Sequence, residues 1–510
     1  MESYSIKNIK SFEEKTDVEI KPITIFVGKN SCGKSSLLRF PVVLSQTFNA
    51  DTSSPLKFYG KLIDYGNYED VVFKNKKEPI EFSLKFKMDI ASDRVDLASS
   101  KENSGRVERI RDVEVFVKLN KDRKKVIVVK NELYIDGQLC YGLYREKANE
   151  YKTKVFRTYD IEKDEFSENE YEICLKSPGN QQFFVEIGDI ADGVAKTYFK
   201  EGFPELEETV EGKTGRGFSY KDLLTMPLSI RRLLIGKEDI DIPNSERIAE
   251  YTFVVSAFSY YAELLGSFYR ICDIELCHLS YIGPFRMNPE RVYRDEEFQT
   301  RRVGVKGENV STVLIRDYQK KKELVSKISS WLKRTMGYNL VVDEISNGLF
   351  SILLEDSNGI RSNLIDVGYG VSQILPIVAQ ILVDAPKRRY QGILDNIIIV
   401  EQPELHLHPA AQSELADLIV DGAIEGKKKM MIETHSEHLI RKLQVLVSDP
   451  DCKLTNDDIV VYYVDKDENG CAHIKELKML PNGKFADRWP SGFFDKAHEL
   501  SMELLKNSIS

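Results

Sequence analysis

The nine residues from Gly28 to Ser36, GKNSCGKSS, constrain the fold more than any other stretch of the chain. They fit the pattern GxxxxGK[ST], and they sit between an apolar run, ITIFV, and a segment, KSSLLRFPVVLSQTF, whose apolar spacing suits a helix. Strand, glycine loop and helix in this order form a cradle in which backbone N–H groups bind phosphates. Gly28 and Gly33 permit the tight turn, and Lys29, Asn30, Ser31 and Cys32 complete the loop. Lys34 is expected to reach the β- and γ-phosphates, and Ser35, followed by Ser36, to offer its hydroxyl to Mg²⁺. The expected ligand is therefore ATP with Mg²⁺.

A phosphate loop needs a carboxylate nearby for the metal's water shell. The sequence NIIIVEQPELHLHP supplies an apolar strand ending in Glu401, which is expected to run beside the loop strand and to serve the metal together with Ser35. A further apolar strand, KMMIETHSEHL, ends in Thr434, His435 and Ser436. His435 is either a packed residue or a sensor of the γ-phosphate; its place at the carboxyl end of a strand, where ligands of open α/β sheets collect, favours the sensor. Between these features and the first part of the chain lies LIDVGYGVSQILPIVAQIL. Gly368, Gly370, Ser372 and Gln373 open an apolar helix there, either an ordinary turn or a second anion-binding helix end. One nucleotide rarely needs two such ends, whereas a dimer can set one subunit's loop against the other's glycine turn.

The phosphate loop GKNSCGKSS, the turn GYGVSQ, the acidic strand IIIVEQPELHLHP and the segment ETHSEHL stand in the order found in ABC-type ATPases of the SMC/RecF/OLD group, which the chain resembles. Together with LSYIGPFRMNPERVY, VGVKGENVSTVL and the terminal WPSGFFDKA, they look closest to AAA15-type ATPases carrying a C-terminal DUF3696 segment. The helix LLRFPVVLSQTF is similar to that of Septu-type anti-phage ATPases. The resemblance spans roughly residues 1–90 and 275–510. It implies a homodimer, or a higher oligomer built on it, that sandwiches ATP between loop and glycine turn. It also implies control of a nuclease, which in the Septu type is a separate HNH protein.

In the ABC pattern the residue after the metal-side acid polarises the attacking water, and here that residue is Gln402. An amide is no general base at neutral pH, although it can orient water. Glu404, past the rigid Pro403, is the nearest alternative carboxylate. The catalytic candidates are thus Glu401, Gln402, Glu404 and His435, with slow hydrolysis expected. Arg286, in GPFR, either contacts nucleotide or braces a turn. Asp465 and Asp467, in VYYVDKDENG, could mark a Toprim-like metal pair, but too little chain follows, and a hairpin turn is the simpler reading.

The expected fold is α/β, a P-loop ABC-type (SMC/RecF-like) ATPase domain split by a strand-rich, then helical insertion. Residues 1–90 form its first part and 91–275 the insertion. Residues 276–450 form the second part and 451–510 the DUF3696-like segment. Strands are expected near 350–355, 396–401, 429–433 and 459–464, and a helix over about 218–275. Hydrophobic residues at 42% and charged residues at 30% fit a soluble globular protein, and the net charge of −9 excludes a chain covered in basic surface. A local run such as KLNKDRKKVIVVK leaves nucleic-acid contact open, and with it an alternative, a RecF-like DNA clamp. The seven cysteines form no CxxC pair, and the start, MESYSIKNIKSFEE, lacks the apolar run of a signal peptide, so a reduced, cytoplasmic, membrane-free protein is expected.

Overall fold

The structure, a computed structural model, describes residues 1–50, 54–90, 109–123, 125–147, 150–160, 163–176, 245–296, 300–320, 323–383, 396–487 and 489. The expected strand QFFVEIGDI, the expected helix before residue 245 and the end of WPSGFFDKA lie outside them. The chain forms two compact units.

One unit gathers Met1–Asn8, Asn49–Lys57 and Asn67–Ile274. Its centre is an antiparallel meander: Ser3–Lys7, Ile80–Asp89, Ile110–Asp122, Lys125–Ile135, Gln138–Lys147, Glu150–Asp160 and Glu165–Lys176, each paired with the next. Alternating apolar residues make these strands. In Ile80–Asp89 the side chains of Ile80, Phe82, Leu84 and Phe86 are buried on one face. The turn at Asp136 and Gly137 has positive φ at both residues, 48° and 76°, the geometry that an Asp-Gly pair favours in a tight hairpin. The helix Ser245–Leu276 lays aromatic residues on the sheet. Phe268 meets Phe86 edge-on with ring centroids 5.1 Å apart, and Phe258 meets Tyr141 at 6.4 Å. Residues 67–90 thus belong with the meander, because Ile80–Asp89 pairs along its length with Ile110–Asp122.

The other unit holds Ile9–Phe48, Phe58–Gly66 and the chain from Glu275 onward. Its six-stranded sheet runs in the order Ser280–Ile282, Asn396–Glu401, Lys428–Glu433, Ile23–Gly28, Ile459–Lys466, Ala472–Glu476. The first five are parallel and the last is antiparallel. Near-continuous apolar runs such as IIIV and ITIFV are what a parallel strand buried on both faces requires. The helix Pro409–Val420 links Asn396–Glu401 to its parallel neighbour Lys428–Glu433, the crossover that such a pair needs. Ile374 and Val378 of the helix Tyr369–Leu382, Leu415 of Pro409–Val420 and Leu443 of Glu437–Ser448 close one continuous core with the sheet. A small antiparallel sheet of Tyr293–Arg294, Leu349–Glu355, Asn339–Ser346 and Arg361–Asn363 belongs to the same unit.

The topology corrects one expectation. The acidic strand Asn396–Glu401 does not flank the loop strand Ile23–Gly28; Lys428–Glu433 lies between them. Among the described helices none is long and apolar enough to cross a membrane.

Candidate nucleotide site

The parallel strands all end at one edge of the sheet, and the phosphate loop begins there. Gly28 has φ 146°, and a Cβ at this position would lie 2.1 Å from the Val464 carbonyl oxygen, so only glycine lets the loop strand pass this close to its neighbour. Gly33, at φ 111°, precedes the helix Lys34–Leu38, and a Cβ there would press on the Phe12 ring. Lys29, Asn30 and Ser31 are exposed, and Lys29 pairs with Asp465 at 3.6 Å. Cys32 is buried, its sulfur 3.9 Å from Lys34 Nζ.

Lys34 is almost fully buried. Its ammonium donates to the carbonyls of Gly28 at 3.0 Å and Lys29 at 2.7 Å, and it stands 3.9 Å from a Glu433 oxygen. The Ser35 hydroxyl donates to the other Glu433 oxygen at 2.6 Å. The Ser36 amide bonds the Gly33 carbonyl at 2.9 Å, and the buried Tyr65 hydroxyl donates to the carbonyls of Ser35 and Ser36 at 3.5 and 3.4 Å. Burial pushes the Glu433 carboxyl above the ordinary carboxylate range, a rise that the Ser35 hydrogen bond opposes.

Glu401 sits opposite Glu433 in the register of the two acidic strands. Arg39 takes it in a two-point grip, Nε to Oε1 at 2.5 Å and Nη2 to Oε2 at 2.6 Å, and the Tyr281 hydroxyl donates to Oε1 at 2.6 Å. Burial works against the Arg39 charge, and the hydrogen bond and charge of Glu401 overcome it, so the guanidinium lies above its ordinary value. The structure therefore places Ser35 against Glu433, while Glu401 is held by Arg39 and Tyr281.

Past Glu401 the backbone turns sharply. Gln402 adopts φ 45°, a left-handed conformation rare for a side-chain-bearing residue. Its amide donates to the Glu433 carbonyl at 2.8 Å. Arg286 braces the same turn, donating to the Glu401 carbonyl at 2.6 Å and the Gln402 carbonyl at 3.4 Å. Burial lowers the Arg286 guanidinium to about 10. Glu404 is drawn back toward the switch segment: it accepts from Thr434 Oγ1 at 2.8 Å and from the His435 amide at 2.6 Å. Burial pushes the Glu404 carboxyl up, and those donors pull partly the other way. His435 is half-buried, and burial first, then the Lys34 charge, holds its imidazole below the ordinary value. Ser436 caps the following helix by accepting from the Leu439 amide at 3.0 Å.

The glycine turn meets a different neighbour. Gly368 precedes the helix Tyr369–Leu382, and a Cβ on Gly370 would lie 3.0 Å from the His406 carbonyl oxygen. The exposed Tyr369 ring stands 6.2 Å from that of His406. The Ser372 hydroxyl donates to the Tyr369 carbonyl at 2.9 Å, and Gln373 is buried. Asp465 lies near the end of the first strand of the hairpin Ile459–Lys466/Ala472–Glu476, and Asp467 opens its turn. Asp467 accepts from the Cys471 amide at 2.8 Å, while Asp465 faces Lys29. Among the described residues no group of acids, histidines and cysteines makes a metal cluster.

Arg39, Tyr65, Tyr281 and Glu433 were not singled out from the sequence. The one signal for Glu433 was an acid closing the apolar strand KKMMIE.

A glycine loop at the carboxyl edge of a parallel sheet, with a buried lysine and a serine facing strand-end carboxylates, defines a P-loop ATPase. The AAA ATPase domain model AAA_15 matches residues 1–222 and 296–440, and the chain belongs to that family. The DUF3696 model, a family of unknown function, matches residues 454–504. No curated protein matches the chain. Among solved structures the chain is similar to an Smc head domain with an extended coiled coil, bound to the C-terminal domain of ScpA, derived from Pyrococcus furiosus. That pair shares 11% identity over 100% of this chain and 99% of the other, at a TM-score of 0.38. It is also similar to the SMC head domain from Thermotoga maritima, with 8% identity over 93% and 97% and a TM-score of 0.34.

Proposed function

We propose that the chain binds ATP with Mg²⁺, hydrolyses it slowly, and works as a nucleotide-dependent homodimer that regulates a separate effector nuclease in prokaryotic anti-phage defence, in the manner of the Septu ATPase PtuA with its HNH partner. ATP binding rests on the loop Gly28–Ser36 and on membership of the AAA ATPase domain family. The loop amides and Lys34 hold the phosphates. Hard oxygen donors suit Mg²⁺, and Ser35, Glu433 and Glu401 supply them at one sheet edge. Bound there, the ion neutralises phosphate charge. His435, whose amide is fixed by Glu404, stands at the same edge as a phosphate sensor.

The observation that carries slow turnover is Gln402. Its amide and carbonyl are both tied down, by Glu433 and Arg286, so the side chain is presented from a fixed turn. Its carboxamide can orient water but cannot take a proton. Glu404, the nearest other carboxylate, is engaged by Thr434 and His435. Phosphate release from the purified chain is expected well below about 1 s⁻¹, an ordinary enzyme rate; multiple turnover at or above that rate overturns slow hydrolysis. Mass measurement with and without ATP tests the dimer, with Gly368, Gly370, Ser372 and Gln373 of one subunit facing the other's loop. Co-purification with an HNH protein tests the partner. The clamp alternative draws on the basic run 118–130, but Lys118 pairs with Glu81 and Lys130 with Glu132, both at 2.8 Å, and Lys121 pairs with Glu69. These pairs favour the regulator; an ATP-dependent, salt-sensitive gel shift would favour the clamp.

A further inference from the structure

We propose that Arg286 is a positioning residue for ATP hydrolysis: its guanidinium holds the turn after the acidic strand in the shape from which the Gln402 carboxamide meets the attacking water. The inference rests on the ATP reading above and assigns within it a residue that acts through Gln402.

The outermost strand of the sheet, Ser280–Ile282, pairs with Ile398–Val400 and stops one residue short of Glu401. Its next amide, that of Gly283, turns to the Val305 carbonyl at 2.8 Å. The Met287 amide is held by the Lys306 carbonyl, also at 2.8 Å, so the chain is fixed on both sides of Arg286. From this anchored loop Arg286 reaches the carbonyls of Glu401 at 2.6 Å and Gln402 at 3.4 Å. Glu401 is almost fully buried, and the guanidinium supplies its carbonyl with the donor that the strand no longer provides.

A buried guanidinium kept for stability alone is expected to sit on a carboxylate. Arg286 instead donates to two neutral carbonyls, and its Nε finds no acceptor among the described residues. Glu404 and Glu401 act on it through charge, while their oxygens are taken by Thr434 and His435 and by Arg39 and Tyr281. Burying a cation in this way is costly, and what it achieves is a conformation. Gln402 stands at φ 45°, which a side-chain-bearing residue keeps only where its surroundings impose it. Its amide is pinned to the Glu433 carbonyl, and its own carbonyl accepts from Arg286 and from the Leu405 amide at 3.3 Å. Without Arg286 the turn loses its short bond at Glu401 and keeps only the Leu405 bond on that side, so Gln402 can relax and carry its carboxamide out of line. In hydrolysis the water oxygen bonds to the γ-phosphorus as the bond to ADP breaks. Because an amide takes no proton, the water's proton passes to a phosphate oxygen, and aiming the water is the whole of the Gln402 contribution.

The test uses the full chain in excess over radiolabelled ATP with MgCl₂, so that one slow turnover is read, and fluorescent-nucleotide titration for affinity. Arg286→Ala is expected to slow cleavage on the order of 10²-fold, the cost of a misaimed group, while ATP affinity stays close to that of the unaltered protein. Methylguanidine added to this variant should restore part of the rate. Arg286→Lys should keep only part of it, because an ammonium does not reproduce the two-carbonyl fork. Gln402→Ala should slow cleavage as well, and the double variant should be no slower than the slower single one. Effects that multiply in the double variant overturn the inference. So does an Arg286→Ala protein that cleaves at the unaltered rate, or one whose ATP affinity falls as far as its rate. Should Arg286→Ala fail to fold, the same cycle run with Arg286→Lys decides. An unaltered chain that binds ATP and cleaves none overturns the inference and leaves ATP binding standing; one that binds no ATP fails the ATP reading itself, before any variant is compared.

Discussion

Arg39 and Glu401 are joined by two parallel hydrogen bonds, Nε to Oε1 at 2.5 Å and Nη2 to Oε2 at 2.6 Å, between the helix after the phosphate loop and the end of a buried strand. Only 3% of the Glu401 side chain is exposed. Removing Arg39 would strand a buried carboxylate, so Arg39→Ala is expected to destabilise the fold by on the order of 3 kcal/mol. Arg39→Lys should recover only part, because an ammonium cannot reproduce the fork. Urea unfolding of the two variants checks both statements; a loss within about 0.5 kcal/mol for Arg39→Ala, as for an ordinary surface change, would contradict them.

Gln402→Glu places a carboxylate where the amide now stands. If the missing base limits turnover, steady-state phosphate release should rise on the order of 10²-fold. Unchanged turnover would move the role to Glu404, and Glu404→Gln should then abolish what hydrolysis there is.

Lys34→Ala removes the ammonium that the loop carbonyls of Gly28 and Lys29 now hold. Fluorescent-nucleotide titration and light scattering should show ATP binding and ATP-dependent dimerisation lost together. Retention of both would refute the loop's role.

Gly28→Ala drives a methyl group to 2.1 Å from the Val464 carbonyl oxygen in a backbone region that side chains avoid. The expected cost is on the order of 3 kcal/mol, read from urea midpoints, because two paired strands must separate to admit it. Unchanged stability would mean that the strands part freely at this point.

Two buried groups give opposite pH slopes. His435 is held below its ordinary value of 6.5, so its contribution to stability is full above that pH and is lost as pH falls through the depressed folded value. His435→Asn should flatten the acid limb of the melting-temperature profile. Glu433 is held above its ordinary value of 4.5, so its contribution is full below that pH and is lost as pH rises through the raised value. Glu433→Gln without nucleotide should therefore melt higher than the unaltered chain at neutral pH, with the gap closing below pH 4.5. A gap that widens in acid would reverse the sign.

The phosphate loop was legible because every residue it needs is local: Gly28, Gly33, Lys34 and Ser35 lie within one turn of chain. The strands IIIV and ITIFV were legible because burial on both faces leaves an unbroken apolar run. Sheet order was not, since nothing in Asn396–Glu401 says whether it lies beside Ile23–Gly28 or one strand away. Glu433 was hidden for that reason: its meaning comes from the loop strand it pairs with, some four hundred residues earlier. Arg39 was hidden in the apolar run LLRFPVV, where a single charge reads as an exposed position until its partner is known. Alternation alone cannot tell which sheet Ile80–Asp89 joins; its pairing with Ile110–Asp122 does.

The loop strand Ile23–Gly28 is clasped between Lys428–Glu433 and Ile459–Lys466, the latter paired with it from Ile459 to Val464. A ribosome that has just released the phosphate loop has made neither flanking strand. At about 5–20 residues per second, the loop strand waits roughly 20 to 90 s for its far neighbour. Through that interval its apolar edges need shelter, and the nascent chain has no complete phosphate cradle, so nucleotide capture in this protein must come late in its synthesis.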